Sequence, residues 1–221
     1  LYAFKKILEF PALGDPSQDV NIDTYSEFHM TKDSDLFVTA GKGWPLIKGG
    51  NIHHYNSEFS PPAVFVSQSE GEERLSKRWK CSVADLPDRT FRIVWRDIAQ
   101  PTDSRSLICT VVFRGCFVAN TLNIIKVFCS RQLASESKII SGINTVLSSF
   151  IADFYVRQRM AKHVSAYILK DLPVPRDIET IRQLGKMAMP LYQGDDFEAF
   201  RGGIPQLDDE HERNKLKAKL D

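Results

Sequence analysis

The amino-acid sequence predicts an α+β fold: a small twisted mixed sheet packed against a long helix, with a helical C-terminal part. Three observations predict it. Phe91, Ile93 and Trp95 alternate with Arg92, Val94 and Arg96 at a period close to two, the spacing of a strand. Ser106 to Phe113 is a β-branched, apolar run of strand length. Ile139, Ile143, Val146, Leu147, Phe150 and Phe154 then recur at helical spacing, up to Met160, and make a core-facing stripe.

Each element follows in order along the chain. Residues 1–40 carry short apolar and aromatic clusters between turn formers such as Gly14-Asp15-Pro16, which predict an irregular or helical lead-in. From Gly41 to Tyr55 the chain is rich in glycine, lysine, histidine and aromatics, the composition of a flexible loop. Residues 63–66 suit a short strand and 70–78 a charged helix. Residues 90–98 and 106–113 pair as a hairpin across the turn Gln100-Pro101-Thr102-Asp103-Ser104, and Asn120 to Phe128 supplies a third strand. Ser135 and Glu136 open the long helix, which runs over 136–160. Tyr167 to Pro175 is an extended segment, because prolines hold the residues before them extended. An amphipathic helix covers 178–192, and the tail from Asp208 is charged and helix-prone.

Composition sets the class. The 221 residues can bury a core, and 43% hydrophobic with 26% charged residues excludes a disordered or fibrous chain. No apolar run approaches the ~18 residues of a bilayer span. No basic-then-apolar leader opens the chain, so a cytoplasmic protein with no membrane partner is expected. The opening Leu1, in place of Met, points to a fragment of a longer parent. Four cysteines without a C-x-x-C pair speak against a zinc site, and His53-His54 has no nearby partners for a metal. Net charge is +1, so a nucleic-acid site requires charge segregated onto one face.

Three phrases, in one order, carry a resemblance. The first is Pro45-Leu46-Ile47-Lys48-Gly49-Gly50-Asn51-Ile52-His53-His54-Tyr55. The second runs from Trp95-Arg96-Asp97 through Thr102-Asp103-Ser104-Arg105. The third is Ser149-Phe150-Ile151-Ala152-Asp153-Phe154-Tyr155-Val156-Arg157-Gln158, followed by Leu172-Pro173-Val174-Pro175. Over residues 41–221 the chain resembles the C-terminal target-recognition domain of TaqI-like restriction-modification adenine-N6 DNA methyltransferases, including fused type II restriction enzymes. The resemblance implies a recognition core at 41–176 and a helical extension at 177–221. It also implies two partners: double-stranded DNA and a catalytic methyltransferase domain of the same parent chain. The catalytic signature of those enzymes (Asn or Asp, Pro, Pro, aromatic) is missing here. So is a glycine-rich loop after a strand to cradle S-adenosylmethionine. This fragment is therefore expected to be non-catalytic and without a cofactor, S-adenosylmethionine belonging to the absent catalytic domain.

Reading a duplex needs cations to fix register on phosphates and a few fork-shaped or amide donors to read base edges. The candidates are Lys48, Asn51, His53, His54 and Tyr55 on the loop, Arg96, Thr102, Ser104 and Arg105 around the hairpin turn, and Arg157 at the end of the helix. Plainer roles stand beside these. Arg96 can pair with Asp97 and Arg105 with Asp103. Trp95 fits a core position, and Arg157 suits a helix C-terminus. Two other functions compete. A protein-docking module, positioning the methyltransferase against a partner subunit, would present an exposed apolar patch. A nuclease would need strand carboxylates to gather Mg²⁺, and Asp97 is followed by Ile-Ala-Gln instead.

Overall fold

Short β-branched runs and amphipathic repeats set the architecture of the computed structural model. It describes residues 6, 8–39, 43–87, 90–99, 103–129, 132–133, 136–175 and 177–221. The strands begin with β1 (Val20–Tyr25), β2 (Phe37–Val38), β3 (Trp44–Ile47), β4 (Phe65–Val66) and β5 (Arg92–Arg96). They continue with β6 (Cys109–Val112), β7 (Phe117–Val118), β8 (Leu122–Cys129) and β9 (Gln132–Leu133). The helices are α1 (Gln68–Trp79), α2 (Ser137–Ser148), α3 (Phe150–Arg157), α4 (Ala166–Lys170), α5 (Ile178–Ala188), α6 (Glu198–Arg201) and α7 (Glu210–Leu220). The fold is α+β, as the sequence predicts.

The main sheet has the order β1-β8-β5-β6, with β9 on β8, and every pairing in it is antiparallel. The expected hairpin is present: Arg92 faces Val112 and Trp95 faces Cys109. β5 has a neighbour on both sides, and Ile93, Val94 and Trp95 are buried. The parallel component of the predicted mixed sheet lies elsewhere, in a second sheet ordered β2-β4-β3-β7 whose β3 and β7 run parallel. A buried ion pair joins the two sheets: Arg92 of β5 meets Glu27, which also accepts the Val118 amide of β7 at 2.7 Å.

Four expectations are corrected. Residues 1–40 are not wholly irregular or helical, because β1 pairs along its length with β8, Ile22 facing Val127. Its Asn21, Asp23 and Thr24 mask a strand whose partner lies 100 residues away. The single helix over 136–160 is two, α2 and α3, bent by 56°. Ser149 breaks it: its backbone is extended, and its Oγ accepts the Ala152 amide at 3.2 Å, the role of an N-cap. The apolar stripe consequently splits. Ile139, Ile143 and Leu147 pack against the sheet, whereas Phe150 and Phe154 are 58% and 49% exposed. Residues 167–175 are also not extended throughout; α4 comes first, and Leu172 then accepts the Leu13 amide at 2.8 Å. Finally, the stretch from 43 to 55 is structured. It contains β3 and a single 3-10 turn at Gly49–Asn51.

α2 and α5 lie in close contact. A Cβ on Gly185 would come within 1.8 Å of the Lys138 carbonyl oxygen, and one on Gly142 within 2.1 Å of that of Ile181. Only glycine allows backbones to approach so closely. Asp177 caps α5, accepting the amides of Glu179 and Thr180. α7 closes the chain, with Leu216 and Leu220 against the main core.

Candidate nucleic-acid interface

The first two phrases and the helical half of the third converge at the end of the hairpin, while residues 172–174 pair instead with residues 11–13. After β3, the Asn51 side chain organises the loop: its Oδ1 accepts the Lys48 amide at 2.8 Å, and its Nδ2 donates to the carbonyls of Ser60 and Pro61, both at 3.1 Å. Gly49 donates its amide to Thr121 Oγ1 at 3.0 Å, which docks the loop beside the start of β8. His53 and Asn56 close a tight turn by exchanging two backbone hydrogen bonds, 2.7 and 3.0 Å long. Tyr55 inside that turn has φ 57°, the left-handed region, and its ring packs on Tyr192 at 5.8 Å. Burial pushes the Tyr55 phenol up, so it stays protonated. This loop is held, not flexible.

Arg96, the last residue of β5, donates to the Ile52 carbonyl and so joins the second phrase to the first. It does not pair with Asp97. That carboxylate binds His163 Nδ1 at 2.9 Å and Asn123 Nδ2 at 3.2 Å. Among the described residues Arg96 has no salt-bridge partner, and burial draws its pKa below the ordinary value. Trp95 beside it is core, its Nε1 donating to the Val164 carbonyl at 2.8 Å.

The third phrase fixes the connection between β5 and β6. Asp153 of α3 is buried, and its Oδ1 accepts the amides of Ser106 and Leu107, each at 2.7 Å. Its Oδ2 accepts Arg157 Nε at 3.0 Å, and Arg157 reaches on to the Asp103 carbonyl at 2.6 Å. Arg105 bonds the Ser148 carbonyl and pairs with Asp221 at 3.4 Å and Asp153 at 3.9 Å, not with Asp103. Its guanidinium also lies 4.2 Å from the Phe150 ring centroid. Thr102 lies outside the described residues, and Ser104 is exposed in this connection.

His53 and His54 stand edge to face, 5.4 Å apart, and His53 leans on Phe59 at 5.1 Å. His54 is buried, and burial together with the Arg105 charge draws its pKa down to about 3. His53 is shifted in the same direction, by burial and then by Arg96. Both imidazoles are neutral at pH 7. Among the described residues no three His, Cys, Asp or Glu side chains gather as metal ligands. Gly49 and Gly50 lead into one 3-10 turn, not a helix, so they form no cofactor cradle of the strand-to-helix type. Gly41 and Lys42 lie outside the described residues.

No protein-family model matches the chain, and no curated protein matches it. The site is therefore defined by its own geometry. Lys48, Arg96 and His53 are partly exposed around one point, while Asn51, Tyr55, Arg105 and Arg157 are engaged within the chain. Sequence reasoning missed two contributors. Asp153 organises the turn, but a carboxylate inside an apolar helix gives no sign of its distant acceptor role. Lys217 of α7 enters because Leu216 and Leu220, four residues apart, dock that helix on the core. This apolar pair was the signal available. The basic residues of α1 lie apart from the cluster and are paired: Arg74 and Arg78 with Asp33, and Lys77 with Glu73.

Among the described residues no single helix is long and apolar enough to cross a membrane, and the four cysteines form no disulfide.

Proposed function

We propose that this chain recognises duplex DNA in a sequence-specific manner, in the cytoplasm, for an adenine-specific restriction-modification methyltransferase. The catalytic domain, with S-adenosylmethionine and any fused endonuclease, belongs to the rest of the parent chain. One observation carries the reading: three sequence phrases up to about a hundred residues apart meet on β5 and the connection after it, beside Arg96, a cation without a salt-bridge partner among the described residues. A guanidinium held by a carbonyl and without a salt-bridge partner among the described residues is suited to phosphate or to the two acceptors of guanine. Lys48 and His53 flank it on the accessible side, Ser104 is exposed in the connection after β5, and Asn51, Tyr55, Arg105 and Arg157 position the segments that carry them. A clamp of this kind helps to hold DNA from which an adenine has been flipped for methylation. The test is fluorescence anisotropy of labelled duplexes against salt. Affinity should fall steeply with salt if phosphates are contacted.

A protein-docking role is favoured by one separate observation: Phe150, Phe154 and Tyr167 are 58%, 49% and 69% exposed. Replacing Phe150 and Phe154 by serine and measuring assembly with the parent's catalytic domain would separate the two roles.

A further inference from the structure

We propose that His54, Arg96, Arg105 and Lys217 form a seat for one phosphate group, supplied by the nucleic-acid backbone; the source, though not the seat, rests on the recognition reading. His54 carries the inference. Its residue is 8% exposed, and neither ring nitrogen has a hydrogen-bond partner among the described residues. Buried polar side chains are otherwise almost always partnered. The Nε atoms of Arg96 and Arg105 are buried and make no hydrogen bond among the described residues, that of Arg105 facing Asp153 Oδ1 only at 3.9 Å. Three side chains thus hold buried polar atoms without a hydrogen bond among the described residues. Arg96 and Arg105 are anchored by the Ile52 and Ser148 carbonyls, so these donors are fixed in place.

The charge balance points the same way. His54 lies within the field of Arg105, His53, Lys217 and Arg96, all of which disfavour its protonation. The carboxylates nearby are engaged: Asp221 with Arg105, and Asp153 with Arg105, Arg157 and two amides. Asp103 and Glu210 act on Arg96 and Lys217 only through space. Lys217, one turn before Asp221 on α7, is half-buried and has no ion pair among the described residues. A backbone phosphodiester presents two non-bridging anionic oxygens in tetrahedral array, and inorganic phosphate more, for these guanidinium, ammonium and imidazole donors. α7 would thus complete the seat, adding a cation to a face built by the loop and the hairpin.

The probe is inorganic phosphate, with a short duplex as the second arm. Thermal unfolding of the whole chain is followed against phosphate and against sodium chloride at equal ionic strength. Phosphate should raise Tm beyond chloride, and Lys217→Met should weaken phosphate binding at least tenfold while leaving the Tm without phosphate nearly unchanged. His54→Phe should weaken it similarly. If phosphate protects no more than chloride, or if Lys217→Met binds it like the parent protein, the seat is overturned. If the duplex binds and the variants shift neither its affinity nor its salt slope, the seat again fails, while duplex recognition stands. If phosphate protects and is lost in the variants but no duplex binds, the seat stands with free phosphate as its source, and the recognition reading fails.

Discussion

Removing the Asp153 carboxylate would leave the Ser106 and Leu107 amides and Arg157 Nε without their acceptor in a buried place. Asp153→Ala should therefore destabilise the fold by about 3 kcal/mol, measured by urea denaturation, whereas Asp153→Asn keeps one acceptor and should cost less. His54 gives a pH dependence of defined sign. Its folded pKa is drawn down to about 3 from 6.5, so between these values the unfolded chain binds the proton more readily. Its contribution is complete above 6.5 and is lost as pH falls towards 3. From pH 7 to pH 5 the loss from this one group should approach about 2 kcal/mol. Urea denaturation at both pH values should show His54→Phe to be less pH-sensitive by that amount; equal sensitivity would contradict the burial of a neutral imidazole. At this scale the sequence was partly legible. Trp95 as core and Arg96 at the strand end follow from a period of two. The destinations of Asp97 and Arg105 do not, because neighbours in sequence compete with partners 26 and 116 residues away. Asn51 was legible as polar and close to the site, but not as the side chain that holds the loop.

The contact of α2 with α5 is a property of elements, made possible by glycine on both helices. Gly185→Ala would drive a methyl group into the Lys138 carbonyl, and should cost about 3 kcal/mol or more in urea denaturation. Gly50→Ala meets nothing within 4 Å and should stay within about 0.5 kcal/mol. Similar losses at both positions would mean that the helices are less closely packed than described. Element types were largely legible wherever the pattern was local: β5, β6, β8, α1 and α5 all follow from periodicity. β1 was hidden because its polar residues fit a turn-rich segment and its pairing with β8 is distant. The break at Ser149 was hidden because the apolar spacing continues across it, while a single serine can cap a helix inside an apolar stripe. The break turns Phe150 and Phe154 to solvent, so the feature that misled the helix assignment also created the exposed aromatic face.

For the molecule as a whole, a net charge of +1 gives no hint of the partner, and arrangement matters more than the sum. The cations of α1, Arg74, Lys77 and Arg78, are paired, whereas the hairpin end, the loop after β3 and α7 bring Arg96 and Lys217 together without salt-bridge partners among the described residues. That arrangement arises only from tertiary packing; the three phrases were visible in the sequence, but the closure by α7 was not. The most direct test is the affinity of the chain for short duplexes, by fluorescence anisotropy across a salt series, with Arg96→Ala beside the parent protein. Recognition predicts binding that weakens steeply with salt and falls roughly 10- to 100-fold in the variant. Equal affinity in Arg96→Ala would contradict the placement of the reading edge at the hairpin, and no binding at low salt would contradict the account itself.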